Sequence, residues 1–344
     1  MARSSNLVIP EVTEAASLRR LVERIDLFNA GSNNTMTLSV DEGLLNRIGG
    51  GDHIEPIQLT RPSGIDAHVD EADPASDDTA VTIAQAKGAS VFQSRRAYIA
   101  HTRDEVMRGK FTPEQYSQAI GEMIADDRFV SIRERLIAIG VASIDSMDTP
   151  AANAHILDVS IGKAAGAAAE ITAARLNTLL AKMGDAREDI STFVMHSSVF
   201  RDLVGDSITN YKVDRVAGTT LHSDVPAAFG RSIIVVDDAS LTSALTSTYY
   251  DEYYTLGLGA NQLNAKIISF DPISTFQDDS LKVVKWTTRQ DYDVEFSVGG
   301  MKWVTAGTNV NPTDAELATA ARWDEYLSDH RECKCVKLVS NIAQ

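Results

Sequence analysis

The chain has 344 residues, of which 44% are hydrophobic, so it is long enough for two ordinary domains or one elaborated domain. Its net charge of −16 and isoelectric point near 4.8 disfavour a specific reader of DNA or RNA, because tight binding to phosphates needs clustered Lys and Arg. The sequence has no apolar run of membrane-spanning length and no signal-peptide pattern at its start, so we expect a protein used or assembled in a cytoplasm, with no membrane partner.

A helical pattern opens the chain. Its apolar residues recur at spacings of three and four, and they are Val12, Ala15, Leu18, Leu21, Val22 and Ile25. The polar tract 29–34 then breaks the pattern. We predict that the first 50 residues form a polar, extended leader rather than a domain.

Residues 52–102 have the composition of an extended two-stranded arm. Strand-like segments cover 54–60 and roughly 80–101, and the acidic stretch between them, 62–78, contains no Lys or Arg. An arm with so few apolar residues is marginal alone and needs a partner chain. Opposite charges at its tip and its base favour pairing between copies, and the candidate contact residues are Asp66, Asp70, Glu71, Asp73, Asp77, Asp78, Arg95 and Arg96.

Two other interpretations of these charges stay open. A plain solvated surface fits the basic pair equally well. Asp66, His68 and Asp70 would lie on one face of a strand, so a weakly bound cation at a subunit contact is an alternative to a solvated tip. We expect no cofactor and assign no metal ligand.

A long helix is predicted next, over 112–141. Thr112 and Gln115 have the spacing of a capping box, and Pro113 occupies the first helical position. Charged residues such as Arg128 interrupt the apolar stripe, which indicates that much of this helix lies at the surface. A second, Ala-rich helix is predicted over 158–183, with Gly184 as its C-terminal cap.

Strands dominate the rest of the chain and mix with short helices, as in an α+β protein rather than in repeated βαβ units. The helices are predicted to follow Ser198 and the capping box of Thr313 and Glu316. Cys333 and Cys335 are too close on one strand to bridge, so we predict reduced, structural cysteines. The predicted strands are 190–195, 233–236, 253–257, 265–270, 281–288, 292–298, 301–305 and 335–339.

The stretch 193–261 contains the residues that most resemble enzyme chemistry. His196 and Ser198 are a candidate base and nucleophile of a hydrolase, but no nucleophile elbow surrounds them, and Ser198 as a helix N-cap is the favoured interpretation. Asp237 and Asp238 are interpreted as a turn rather than a metal site. The Gly-x-Gly at Gly257 is followed by a strand, so it fails as a dinucleotide fingerprint.

The order of these elements resembles the major capsid proteins of tailed bacteriophages. The resemblance spans nearly the whole chain and rests on a set of motifs: Met195-His196-Ser197, Gly230-Arg231 before 233–238, Tyr254-Thr255-Leu256-Gly257-Leu258-Gly259-Ala260, Gly299-Gly300-Met301-Lys302-Trp303 and Asn311-Pro312-Thr313. It implies the α+β fold named after phage Hong Kong 97. Under it, residues 1–51 are an N-terminal arm, 52–102 the extended loop that lies on a neighbouring subunit, 103–144 the peripheral domain with its spine helix, 145–272 the axial domain, and 273–344 the returning peripheral strands and C-terminal segment.

The resemblance also implies a function. The expected protein is not an enzyme but a self-assembling subunit, which forms the hexamers and pentamers of an icosahedral shell around double-stranded DNA in a virion. The implied partners are copies of itself, a portal, a separate scaffolding protein and a decoration or cement protein. An encapsulin-like compartment shell is the nearest alternative, and a hydrolase using His196 and Ser198 is a weaker one.

Overall fold

A computed structural model describes residues 8–40, 57–59, 85–87, 89–102, 111–147, 155–160, 169–210, 230–243, 252–278, 285–304, 311–327 and 330–341. Its α-helices are α1 (Pro10–Gly31), α2 (Pro113–Ser146), α3 (Ala173–Ala181), α4 (Ser197–Asn210) and α5 (Asp314–Leu317). Its strands are β1 (Met36–Val40), β2 (Ile57–Leu59), β3 (Gln85–Lys87), β4 (Val91–Thr102), β5 (Ile156–Asp158), β6 (Ile190–Met195), β7 (Ser232–Val235), β8 (Thr242–Ser243), β9 (Glu252–Gly259), β10 (Leu263–Phe270), β11 (Ser274–Asp278), β12 (Lys285–Val298), β13 (Met301–Trp303), β14 (Trp323–Glu325) and β15 (Cys335–Asn341).

The larger sheet is organised around β12. On one edge of β12, β11 and β10 pair antiparallel with its first and second halves, and β1 adds parallel to β10. On the other edge, β4 pairs antiparallel along its whole length. Directly opposite residues share a face of the sheet, so this register decides which side chains of β4, β12 and β11 lie together.

β12 corrects the prediction of two strands, 281–288 and 292–298, because one strand of 14 residues runs through the expected break. Gln290 at that point is buried, and its amide donates to the carbonyl oxygen of Asp271 at 3.0 Å. Arg289 and Asp291 lie on the opposite face and pair with each other at 2.5 Å. Polar residues that suggest a turn are therefore satisfied inside the strand.

The helical layer consists of α1 and α2, which run parallel. The capping box of Thr112 and Gln115 begins α2 as predicted. The prediction of an extended leader is wrong, because α1 packs along α2 and places Leu21 and Ile25 in the main core. The rest of its buried face consists of Thr13, Ala16 and Ser17, which are too small or too polar for apolar periodicity to mark.

The second sheet has the order β5-β15-β9-β6-β7, with β8 also paired to β9. β15 lies between parallel β5 and antiparallel β9, and α3 packs against it in a core that includes Leu176, Leu179 and Leu338. The predicted helix 158–183 is corrected to α3, which begins after a Thr172 cap. Its first residue falls in β5 instead, and 161–168 lie outside the described residues.

The predicted two-stranded arm is divided by the structure. β2 and β3 pair antiparallel at its base, from Ile57 opposite Lys87 to Leu59 opposite Gln85. The second predicted strand does not continue through the arm, since β4 belongs to the five-stranded sheet. The acidic residues of 62–78 lie outside the described residues.

The C-terminal part returns to the helical layer. The capping box of Thr313 and Glu316 begins α5 as predicted, but Trp323, expected on this helix, starts β14. β13 and β14 form a small sheet in which Trp303 and Trp323 meet edge to face at 5.1 Å. Cys333 and Cys335 are free and buried. Within the part of the chain that the structure describes, no helix has both the length and the hydropathy of a membrane span.

Candidate functional site

The stretch that suggested a hydrolase forms a helix cap. α4 begins at Ser197, so the predicted cap at Ser198 is displaced by the side chain of His196, whose Nδ1 accepts the backbone N–H of Ser198 at 3.2 Å. Asp237 Oδ1 accepts the backbone N–H of Ser197 at 3.2 Å and lies 3.5 Å from His196 Nε2. Hydrogen bonds from the side chain and backbone of Ser197 lower the pKa of Asp237 below its ordinary value. An imidazole and a carboxylate thus satisfy the first turn of α4.

This geometry does not favour nucleophilic chemistry. The ring nitrogen of His196 nearest Ser198 is bound to the backbone, and within the described ranges the Ser198 hydroxyl has no hydrogen bond to that ring. Asp202, the other candidate orienting group, pairs with its neighbour Arg201 at 3.0 Å. A catalytic base must be aimed at the hydroxyl that it deprotonates, and here it is not.

We expect the two residues of the cap to differ in their effect on stability. Ser198→Ala should change the free energy of unfolding by less than about 0.5 kcal/mol, because its hydroxyl holds no structural contact there. His196→Ala removes the cap and an edge contact with Tyr253 at 5.1 Å, and should cost about 1 kcal/mol or more. Urea unfolding of the soluble subunit measures both, and a larger loss in the Ser198 variant would contradict this assignment.

The aspartate pair and the glycines also have structural explanations. Asp238 Oδ1 accepts the N–H of Ser240 at 2.7 Å and starts a short 3-10 helix, so the predicted turn is confirmed. A Cβ on Gly257 would lie 2.7 Å from a methyl carbon of Val336 on β15, and one on Gly259 would lie 2.5 Å from Lys334 Cβ. These glycines allow β9 to lie close to its neighbours.

The two basic contact candidates lie on opposite faces of β4. Arg95 faces the helical layer, where it forms an ion pair with Asp314, which Arg135 also contacts at 3.1 Å. Arg96 faces away from the helices, about half exposed, and binds Asp291 of β12 through two hydrogen bonds of 2.8 and 2.9 Å. Contact between copies therefore stays a prediction for both residues, and Arg96 is the one on an open surface.

The same open face carries residues that sequence patterns alone do not bring together. Tyr98 lies opposite Arg289, and Ala100 lies opposite Thr287, which in turn lies opposite Phe276 of β11. Tyr98 is 65% exposed and Phe276 53% exposed, although both are large and aromatic. Alternation along β4 marks Tyr98 as outward-facing, but only the strand order places Phe276 beside it. We call the set Arg96, Tyr98, Ala100, Phe276 and Arg289 the outer sheet face.

Asp291 organises the charges at the rim of the outer sheet face. It accepts hydrogen bonds from Nε and Nη2 of both Arg96 and Arg289. These bonds, with Arg289 the larger contributor, depress the pKa of Asp291 strongly. The cluster keeps one unit of positive charge. Elsewhere in the described ranges, no three His, Cys, Asp or Glu side chains are grouped as metal ligands would be.

Comparisons with known proteins identify the family. A family model described as Gp13-like, major capsid protein 13-like, matches residues 7–336 of the chain. The chain belongs to the major capsid protein 13-like family. A search of the curated proteins found no match.

Solved structures agree on the fold. The capsid of Ralstonia phage GP4 is 8% identical with a TM-score of 0.52, and the match covers 91% of this chain and 88% of that one. The capsid asymmetric unit of Cyanophage Pam1 is 14% identical with a TM-score of 0.51, covering 91% and 90%. The expected α+β capsid fold is confirmed by these likenesses, and family membership confirms a major capsid protein.

A member of this family has a structural role. The protein is a subunit of a capsid shell, built from many copies of itself, and its place is the virion. The family is one of structural proteins, which agrees with the helix-capping role of His196. The functional surfaces of such a protein are those that meet other copies.

Proposed function

We propose that copies of this protein form the hexamers and pentamers of an icosahedral shell that encloses double-stranded DNA. The observation that carries the proposal is the match of the capsid family model across residues 7–336, together with a fold shared with phage capsids. The acidic net charge of −16 supports it, since a shell wall must not hold its own DNA tightly. A portal, a scaffolding protein and a decoration protein are the further partners of this proposal, and the host cytoplasm is the site of assembly.

The division into domains is part of the proposal. Residues 1–51 form the N-terminal arm, 52–102 the extended loop, 103–144 and 273–344 the peripheral domain, and 145–272 the axial domain. The separate β2–β3 pair supports a loop that projects from the subunit, because two short strands bury little by themselves. The pairing of β4 with β12 indicates that the last part of 52–102 is the fixed base of that loop.

Particle formation tests the proposal directly. The expressed protein should form closed particles of uniform diameter, visible by negative-stain microscopy and by light scattering. Closed assemblies from one kind of subunit follow from repeated, symmetric contacts. A protein that stays a monomer of 37.3 kDa at every concentration would contradict the proposal.

Removal of the acidic stretch tests the role of the loop. A variant in which a short Gly-Ser linker replaces 62–78 should keep its circular dichroism spectrum and its unfolding midpoint, because the β2–β3 pair is a sheet of its own. The same variant should lose closed particles, since the loop would no longer reach a neighbouring copy. Unchanged particle yield would remove the loop from the assembly mechanism while leaving the shell itself in place.

A further inference from the structure

The outer sheet face has the composition of a protein-binding surface. It combines two exposed aromatic side chains, Tyr98 and Phe276, with two arginines, Arg96 and Arg289. Aromatic residues and Arg are enriched at interfaces, where they provide large contact areas and several hydrogen-bond donors. Ala100 between them keeps the surface low, so a partner chain can approach the backbone.

The outer edge of β4 adjoins this surface and is open. Ser94 marks the direction of the edge, because its N–H donates to the side chain of Asn311 and its carbonyl oxygen accepts from it, at 3.0 and 3.1 Å. In an antiparallel pair, the backbone groups of alternate residues point to the same side, so those of Arg96, Tyr98 and Ala100 also point away from β12. In the part of the chain that the structure describes, no strand pairs with this side of β4 beyond Ser94. An open edge of this kind is a template for an added extended chain.

The charges of the outer sheet face select an acidic partner. Arg96 and Arg289 each use Nε and Nη2 on Asp291, which leaves the Nη1 amino group of each with no acceptor among the described residues. Two arginines against one aspartate leave a positive surplus. A carboxylate-bearing segment would satisfy these donors by charge-assisted hydrogen bonds.

The chain itself contains such a segment in 62–78. It carries the acidic residues Asp66, Asp70, Glu71, Asp73, Asp77 and Asp78 and no Lys or Arg. It is connected to the paired strands β2 and β3 by one residue or a few on each side. A loop of about 25 residues between paired strands reaches roughly 40 Å if extended, at ~3.3 Å per residue for each half, which is enough to reach a neighbouring copy.

We propose that residues 62–78 of a second copy dock along the outer edge of β4, with their carboxylates at Arg96 and Arg289 and their backbone beside Tyr98. This inference rests on the proposed shell function and names the surface that receives the loop. It assigns the receiving role to the side of the sheet opposite α2. Arg95, on the helical side, takes no part in it.

Substitutions of the exposed aromatics test the surface. Tyr98→Ser and Phe276→Ser should raise the protein concentration needed for particle formation about tenfold or more, as expected for central interface residues. The unfolding midpoint of the soluble subunit should stay the same, because both side chains are more than half exposed. Leu27→Ser and Met123→Ser are matched controls on the helical layer, 70% and 64% exposed, and should leave assembly unchanged. Equal effects from both pairs of variants would overturn the assignment of this face.

Crosslinking tests the occupant. Tyr98→Cys and Glu71→Cys proteins are prepared separately, mixed before assembly and treated with a short bismaleimide, while the native Cys333 and Cys335 are buried and serve as an internal background. Dimers that contain one chain of each variant are expected only in the mixture. A protein with both substitutions in one chain, if it crosslinks within the chain while the mixture yields no dimer, would place the subunit's own loop on the face and overturn the proposal.

The remaining outcomes separate this inference from the function on which it rests. Normal particles without any crosslink would overturn the docking surface but leave the shell proposal standing. Failure of the unmodified protein to form particles would refute the shell proposal, and this inference would fall with it.

Discussion

Gly121→Ala is expected to lower the free energy of unfolding by about 1–3 kcal/mol, the usual cost of overpacking a tight contact. Gly121 lies on α2 where α1 comes closest, and a Cβ at this position would lie 2.4 Å from the carbonyl oxygen of Thr13. The atoms it would meet next are Ala16 Cβ at 3.0 Å and the Ser17 nitrogen at 3.1 Å, so backbone rather than a flexible side chain must move. Urea unfolding of the soluble subunit gives the free energy.

Gly205→Ala is the matched control. Gly205 lies in α4, and a Cβ there would meet nothing within 4 Å. Replacing a helical glycine by alanine stabilises by about 0.5–1 kcal/mol when there is space, so the two variants should shift stability in opposite directions. If both variants were stabilised, the helices would be able to separate without loss, and α1 would not be part of the folded core.

Arg128→Ala is expected to cost about 2–5 kcal/mol, the range for large-to-small changes in a core. The guanidinium is buried at 2% exposure, with its central carbon 4.8 Å from the ring centre of Phe270 and 4.4 Å from that of Tyr292. Its Nη2 donates to Gln290 Oε1 at 2.9 Å. Truncation therefore leaves a cavity, removes two cation–π contacts and leaves the Gln290 carbonyl oxygen without its donor.

Arg128→Met separates packing from charge. Burial lowers the pKa of Arg128, which shows that the charged form is held there at the expense of its hydration. A methionine keeps much of the volume and removes that cost, so we expect it to lose less than half as much stability as the alanine variant. Arg19→Ala, at an arginine whose side chain is 64% exposed, should change stability by less than about 0.5 kcal/mol. Equal losses for methionine and alanine would show that the charge, rather than the packing, holds α2 on the sheet.

Much of the fold could be predicted because its signals are local. The capping boxes at Thr112 and Thr313 fix the starts of α2 and α5 by hydrogen bonds between residues three apart, and both are present. β6 and β15 are continuous apolar strands, which predicts burial on both faces. Signals of this kind depend on neighbouring residues alone.

The features that escaped prediction depend on distant partners. α1 is buried through Thr13 and Ser17 because Gly121 allows a close approach, and no pattern within α1 announces that. Arg128 suggests a surface position until Phe270 and Tyr292 are brought beside it by β10 and β12. The outer sheet face likewise requires the register of three strands, since Tyr98 and Phe276 are far apart in the sequence. The acidic residues of the loop stay a prediction.

The position of β15 has a consequence for synthesis on the ribosome. β15 is the last of the described strands to be made, yet it lies inside the second sheet and is the only strand of the described ranges that joins β5 to β9. Chains grow from the N-terminus, so the two sides of this sheet must wait, unjoined, until Cys335–Asn341 emerges. A polypeptide interrupted before that point lacks a finished axial sheet, and so the fold itself keeps incomplete chains from being built into a particle.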